Sequence, residues 1–443
     1  MRKITRRRFL RDSGAAAAPL VLPCGALSAG RKLNVAFIGV GGRGASNLAG
    51  LSGGNNVVAL CDADDRRAAD AFKKFPDAKR YRDFRRMLDE MEKSIDAVCI
   101  STPDHTHAVA AMDAIRRGKH VYCEKPLAHS VHEVLSLMKA ARERKVVTQL
   151  GNQGHSSNSI RQFVEWVRDG AIGRVHTIHA GCSAVHCRVA DFPRLAEKPP
   201  VPPELDWDLW LGPALERPYH PVYLPGRWRG WKPFGNGTIG DWVCHVVDPS
   251  FWALDLGAPA TVEAVDLEDY DPVAHADTFP SGATIRFEFP PRGDRGPVTL
   301  YWYSGSHHRK KPRPEGLEEK REVPATGAVV LGDKGAIVHG SHGAGGLAIV
   351  PTEQMRDYRP PTPSLPRVAG HHQDFVAAIR EGRKAGSDFA DYGGPLTMLA
   401  MLGIVAMNFP KRKLAWDASK AEFSDCREAN RFLNPPYRKG WSL

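Results

Sequence analysis

Residues 31–62 constrain this chain more than any other stretch. An apolar run of strand length (33–38) ends in Gly39-Val40-Gly41-Gly42-Arg43-Gly44, a helical run follows, and a second apolar run (57–61) closes on Asp62. Gly39, Gly41 and Gly44 fit the spacing G-x-G-x-x-G. Gly39 would make the tight turn and Gly41 would let the backbone approach a pyrophosphate. Gly44 would let the next helix pack against the strand with its positive end toward the phosphates. Asp62 stands where a carboxylate accepts both ribose hydroxyls of NAD and repels a 2′-phosphate, so NAD is expected over NADP, with Arg66 and Arg67 as opposing charges. A glycine motif alone is weak evidence. Strand, glycines, helix, strand and acid in this order specify a dinucleotide site.

The alternation continues downstream. A strand at 95–100 runs into Ser101-Thr102-Pro103-Asp104-His105-Thr106-His107, and a helix from about Thr106 stops at Arg116-Arg117-Gly118. A strand at 120–123 leads into Glu124-Lys125-Pro126, Ser130 and Glu133 form a capping box for another helix, and a strand at 146–150 leads into Gly151-Asn152-Gln153-Gly154-His155. This pattern predicts an α/β, doubly wound parallel sheet (a Rossmann domain) over residues 30–152. Loops at the carboxyl ends of such strands line the ligand crevice. The glycine turn with Gly42 and Arg43 is therefore expected at the cofactor, as are Ser101, Thr102, Pro103 and His107 after the 95–100 strand. Glu124, Lys125 and Asn152 are expected there from the two strands that follow.

From about residue 156 the alternation breaks. Strand-like runs at 175–180, 260–265, 283–289, 298–303 and 328–331 and helical runs at 159–168, 241–254, 373–381 and 395–409 predict an α+β domain over 153–443. Its sheet is large, mostly antiparallel and open, with helices on one face and the other free for subunit contact.

Composition narrows the function classes. At 443 residues, 42% hydrophobic and 25% charged, the chain can bury two substantial cores, and no apolar run reaches membrane-spanning length. The net charge of +11 is concentrated at the start, where six cations before residue 12 face only Asp12. No basic strip interleaved with aromatics accompanies it, so nucleic-acid binding is not expected. The eight cysteines include no C-x-x-C pair, so neither zinc nor a redox dithiol is expected and no metal site is assigned. Thr5-Arg6-Arg7-Arg8-Phe9-Leu10-Arg11, the weakly apolar 15–27 and the small residues at 26–29 resemble a twin-arginine export signal. Residues 1–29 are expected to be that signal and the mature protein periplasmic or otherwise exported, with its cofactor held tightly.

Glu124-Lys125-Pro126, the glycine motif, Thr102-Pro103 and Gly240-Asp241-Trp-Val-Cys-His245-Val-Val-Asp248 together resemble the glucose–fructose oxidoreductase and inositol dehydrogenase family (Gfo/Idh/MocA) over nearly the whole mature chain. The resemblance implies that Lys125, Asp241 and His245 surround the reacting carbon and that a cis bond precedes Pro126. It also implies a homodimer or homotetramer built through the open sheet. Residues 151–155 and 207–213 look like an exported bacterial subgroup.

The residue types suit the chemistry. In a helix, Asp241 and His245 lie one turn apart on one face. Moving a hydride from a secondary alcohol to nicotinamide requires a base of near-neutral pKa at the hydroxyl, the role expected of His245. Lys125 would stabilise the developing negative oxygen, and Asp241 would orient His245 or bind a neighbouring hydroxyl. Cations and flat aromatics at 226–232 make Arg229, Trp231 and Lys232 candidate sugar contacts, and His155 is a further candidate at the crevice. His176 and His179 fall on opposite strand faces, and His371 and His372 read as capping or surface groups. The reading is an exported NAD-dependent oxidoreductase acting on a sugar, cyclitol or glycoside. The alternatives are an NAD-dependent glycosidase of the α-N-acetylgalactosaminidase type, which oxidises, eliminates and re-reduces, and a non-catalytic sugar- or NAD-binding protein, against which the trio Lys125, Asp241 and His245 argues.

Overall fold

The computed structural model describes residues 31–443; the expected export signal lies outside the described residues. Six strands, β1 (Asn34–Ile38), β2 (Asn56–Cys61), β3 (Lys79–Tyr81), β4 (Ala97–Ile100), β5 (His120–Glu124) and β6 (Thr148–Gly151), form a parallel sheet in the order β3-β2-β1-β4-β5-β6. The order reverses between β1 and β4, so the loops after these strands part and leave a crevice at their carboxyl ends. Central strands such as β4 are buried at every position, as a sheet covered by helices on both faces requires. Helices Asp65–Lys74 and Phe84–Met91, which the sequence reading did not pick out, are capped by the side chains of Asp64 and Asp83. Ser130 caps helix Val131–Arg144 as predicted, its hydroxyl accepting from the Glu133 amide.

The second sheet has nine strands. In chain order they are β7 (Val175–Cys182), β8 (Thr261–Leu267), β9 (Gly282–Phe289), β10 (Val298–Gly305), β11 (Gly327–Gly332), β12 (Gly335–Gly340), β13 (Ala348–Val350), β14 (Lys413–Asp417) and β15 (Glu422–Phe423). They stand in the order β13-β12-β11-β7-β10-β9-β8-β14-β15. The pairing is antiparallel except between β7 and β10, which run parallel. Ile178, Leu300, Trp302, Ile285 and Phe287 point to the helix-covered face and are fully buried. Helix Gly394–Ala406 packs there, and Gly403 admits the tip of Ile239 from helix Gly237–Val246, which a β-carbon would meet at 2.6 Å. Phe389–Ala406 is long and apolar enough to cross a membrane, contrary to the sequence expectation, but 78% of it is buried inside the protein, which marks a core helix.

Two further expectations are corrected. The single helix expected over 241–254 is two, Gly237–Val246 and Asp248–Ala253, because Pro249 lacks an amide proton and fits only the first turn of a new helix. His371 and His372 are not surface groups. They open helix His371–Glu381, whose Phe375, Ala378 and Ile379 complete the core beneath β1, and the His371 ring meets the Leu150 carbonyl at 2.7 Å.

Candidate functional site

A cavity of about 430 Å³ opens where the carboxyl ends of β1, β2, β4 and β5 face the second domain. One end is backbone. Gly39 has φ of 78°, and a β-carbon there would stand 2.7 Å from the Ser101 carbonyl oxygen. At Gly44 a β-carbon would stand 2.0 Å from the Gly39 oxygen. Gly44 therefore serves helix-to-strand packing and does not line the cavity, whereas Gly39, Gly41, Gly42 and Arg43 do. Helix Arg43–Ser52 carries no acid in its first turn, which leaves its positive end open to an anion. At the tip of β2 the Asp62 carboxylate accepts from the amides of Val40 (3.0 Å) and Asp64 (3.1 Å). Burial raises its pKa above the ordinary value against these two donors and Arg67. Arg67 lies over the glycine turn, and Arg66 is turned away onto Asp64. Ser101, Thr102, Pro103 and Glu124 complete this end. Glu124 is fixed by Arg43 (3.1 Å), Asn47 (2.9 Å) and Gln153 (2.8 Å). A bare glycine turn, an open helix end and a carboxylate at the second strand are what a dinucleotide requires, and the residues fit one.

The other end is side chains. The Lys125–Pro126 peptide is cis. The Lys125 ammonium donates to the backbone carbonyl of Asp241 (2.7 Å) and to its carboxylate (2.5 Å). That carboxylate also receives Arg229 Nε at 3.0 Å and faces His186 Nε2 at 3.2 Å. Burial alone would raise the Asp241 pKa, but Lys125, His186 and Arg229 together hold it well below the carboxylate range. His245, one turn along the helix, lines the same cavity, and its Nδ1 is buried without a hydrogen-bond partner among the described residues. Burial, then Lys125 and His342, push its pKa well below that of a free imidazole, which corrects the near-neutral value expected of this base. The expectation that Asp241 orients His245 is therefore corrected: its carboxylate holds Lys125 and Arg229. Asp104, also at the cavity and bonded to Asn236, is pushed up to about 7 by burial.

Besides Gly44, five expected site residues lie elsewhere. His107 is buried between the Pro126 (2.8 Å) and Thr102 (2.9 Å) carbonyls and props up the cofactor loops from behind. Asn152 donates to Asp248 (3.1 Å), and His155 meets the same carboxylate at 2.9 Å beneath Trp252 and Tyr392, because the turn Gln153–Ser156 carries this segment away from the crevice. Trp231 is fully buried among Tyr223, Phe192 and Phe234, its indole donating to the Val222 carbonyl. Lys232 points to Tyr270, and burial pulls its pKa down to about 8. From that same segment Trp228 and Arg229 reach the cavity, the guanidinium 4.2 Å from the indole. The sequence reading missed Trp228, Trp242, His186 and His342. For His342 a signal existed, the glycine-rich run Gly340-Ser-His-Gly-Ala-Gly-Gly346 with one histidine inside it.

Comparison with known proteins agrees with this architecture. Residues 33–152 match a family model described as an oxidoreductase family NAD-binding Rossmann fold, and residues 192–289 match the family's C-terminal alpha/beta domain. Among curated relatives, glycosyl hydrolase family 109 protein 2 of Akkermansia muciniphila is 32% identical over 171 residues, 36% of each chain. Levoglucosan dehydrogenase of Pseudarthrobacter phenanthrenivorans is 30% identical over 190 residues, 43% of this chain and 40% of that one. Inositol 2-dehydrogenase 2 of Saccharopolyspora erythraea is 32% identical over 152 residues, 33% of this chain and 44% of that one. The matched region thus spans less than half of these relatives. Among solved structures, levoglucosan dehydrogenase in complex with NADH shares the fold at TM-score 0.57 and 21% identity over 87% of this chain and 99% of that one. An aldose–aldose oxidoreductase from Caulobacter crescentus does so at 0.56 and 17%, over 87% and 100%. Glycine cradle, Lys125-Pro126, the Asp241–His245 helix and both domain matches lead to one assignment: the chain belongs to the NAD-binding Gfo/Idh/MocA oxidoreductase family.

Proposed function

We propose that this protein is an NAD-dependent oxidoreductase acting on a secondary alcohol of a sugar, cyclitol or glycoside. The observation that carries the proposal is that Lys125 and His245, from distant parts of the chain, open into the cavity headed by the glycine turn. Bound NAD would accept the hydride from the carbinol carbon. His245, held neutral by burial, takes the hydroxyl proton. Lys125 has three donors; two are engaged by Asp241, and the third is free to hold the substrate oxygen as it becomes negative. Asp241, ionised and anchored by Arg229 and His186, keeps that ammonium in place. Arg229, stacked on the Trp228 ring, offers its remaining guanidinium donors to a polyol ring.

The relatives active on levoglucosan and inositol support a polyol substrate. The glycosyl hydrolase relative supports a second reading, a glycosidase in which the hydride returns to the substrate and no NADH accumulates. Incubation with NAD and a panel of sugars, cyclitols and chromogenic glycosides separates the two: NADH fluorescence marks a dehydrogenase, and aglycone release without NADH marks the glycosidase. Neither signal on any substrate would defeat both. Export through the twin-arginine route, supported by residues 5–11, and a homodimer or homotetramer through the second sheet's uncovered face, with Tyr301 and His179, complete the proposal.

A further inference from the structure

A catalytic histidine is ordinarily aimed by a hydrogen bond from its second nitrogen to a carboxylate or carbonyl. Among the described residues His245 has none: its Nδ1 is buried and unpartnered, and Asp241 is engaged by Lys125 and Arg229. What the ring does have is a second imidazole on its face. His342 stacks on it with centroids 4.0 Å apart and planes 22° from parallel, and Trp242 stands edge-on to both rings at 6.0 and 5.6 Å. All three line the cavity.

The turn that delivers His342 is built for close docking. It follows β12, and His342 itself adopts left-handed backbone angles, φ 52° and ψ 52°, before Gly343 at φ 91°. Left-handed residues of this kind collect at functional sites, where the surroundings impose them. Here the imposing groups are identifiable. The Gly343 carbonyl accepts from Ser157 Oγ (3.1 Å) and Ser159 Oγ (2.5 Å), and the Gly340 amide donates to the Gly345 carbonyl (2.7 Å). A β-carbon on Gly154 would lie 2.3 Å from the His342 carbonyl carbon, and one on Gly343 would lie 2.2 Å from Ser157 Oγ. Gly154, two serines and Gly343, from two distant segments, thus converge to place one side chain. Ser341 Oγ meets His342 Nδ1 at 2.9 Å and fixes the ring.

We infer that His342 is a positioning residue for His245: by stacking, it sets the plane of the base that would otherwise be set by a hydrogen bond, and it keeps that base dry. The inference rests on the oxidoreductase reading of the site. The charged groups acting on both rings are Lys125, Arg43 and Asp241, so two imidazolium rings in contact beside Lys125 are disfavoured and the stacked pair carries at most one proton. During turnover that proton comes from the substrate hydroxyl and resides on His245. His342 exchanges none.

Three variants test this, His342→Ala, His342→Phe and Gly154→Ala, each first checked for folding and NAD binding by calorimetry. In His342→Ala, kcat should fall about a hundredfold with KM little changed, the loss typical of a misaimed catalytic group. Its acid limb should move to higher pH as water reaches His245. His342→Phe, which restores a flat face without a titrating group, should recover most of kcat and the wild-type pH profile. Gly154→Ala, which undocks the turn, should resemble His342→Ala. Unchanged kcat in His342→Ala, or a His342→Phe as slow as the alanine variant, overturns the inference. A readout independent of substrate is the NMR titration of isotope-labelled histidines, with His245 assigned through His245→Gln. Its midpoint should rise in His342→Ala and stay low in His342→Phe, and one midpoint in all three proteins also overturns the inference. If the wild type oxidises nothing, the functional reading fails while this titration still decides the stacking claim.

Discussion

At its nucleotide end the cavity is mainly a wall of backbone from residues 39–62, completed by Ser101, Thr102, Pro103 and Glu124. Gly39, Gly41 and Gly42 bare the main chain, and Asp62 is pinned by the amides of Val40 and Asp64. At its reacting end it is side chains from four places. Lys125 follows β5, Asp241 and His245 come from helix Gly237–Val246, Arg229 from a short turn and His342 from the turn after β12. The first end tolerates no added atoms, and the second depends on charges balancing one another. Binding and chemistry are therefore separable, and mutations should divide along the same line.

The largest effect is expected from His245→Ala, which should cut turnover about a thousandfold while leaving NAD affinity within a few-fold, as removal of a general base does. Stopped-flow NADH fluorescence and calorimetry on one sample check both halves. Next is Gly44→Ala, whose new methyl would stand 2.0 Å from the Gly39 oxygen. It should cost about 3 kcal/mol of stability by overpacking and abolish NAD binding, whereas Gly53→Ala, with nothing within 4 Å, should leave the melting temperature nearly unchanged. Asp62→Asn should weaken NAD about tenfold, the value of a charged hydrogen bond, and narrow its advantage over NADP. The smallest effect concerns pH. Burial, then Lys125 and His342, lower the His245 pKa from its ordinary 6.5, so the neutral, basic form persists as pH falls through that value. kcat/KM should hold through pH 6.5 and decline only below it, and a half-loss at 6.5 would place the essential base elsewhere.

The same division governs what could be read in the sequence. The nucleotide end was legible because its parts are contiguous and each glycine has a local reason to be there. Lys125 and the Asp241–His245 pair were legible chiefly through the family resemblance, which a strand-end loop and helical spacing supported. Facing was not. Trp228 and Trp231 sit three residues apart in one aromatic segment, yet only the first reaches the cavity, because the turn Arg227–Gly230 points the second into a core with Tyr223 and Phe234. His155 and Asn152 follow the right strand, but a tight turn commits both to Asp248. His186 and His342 arrive by tertiary docking within the second domain, onto Asp241 and His245, and only the glycine-rich run 340–346 marked either of them locally.

In the proposed reaction Lys125 acts on the reacting oxygen and contributes little to holding NAD. Lys125→Ala tests it most directly, with the NAD dissociation constant and the single-turnover rate measured on the same preparation and the best substrate from the panel. The expected result is an NAD affinity within a few-fold of wild type and a hydride-transfer rate lowered on the order of a hundredfold, the loss of one donor to a developing oxyanion. A rate that survives the substitution, or one that falls only in step with NAD affinity, would contradict it.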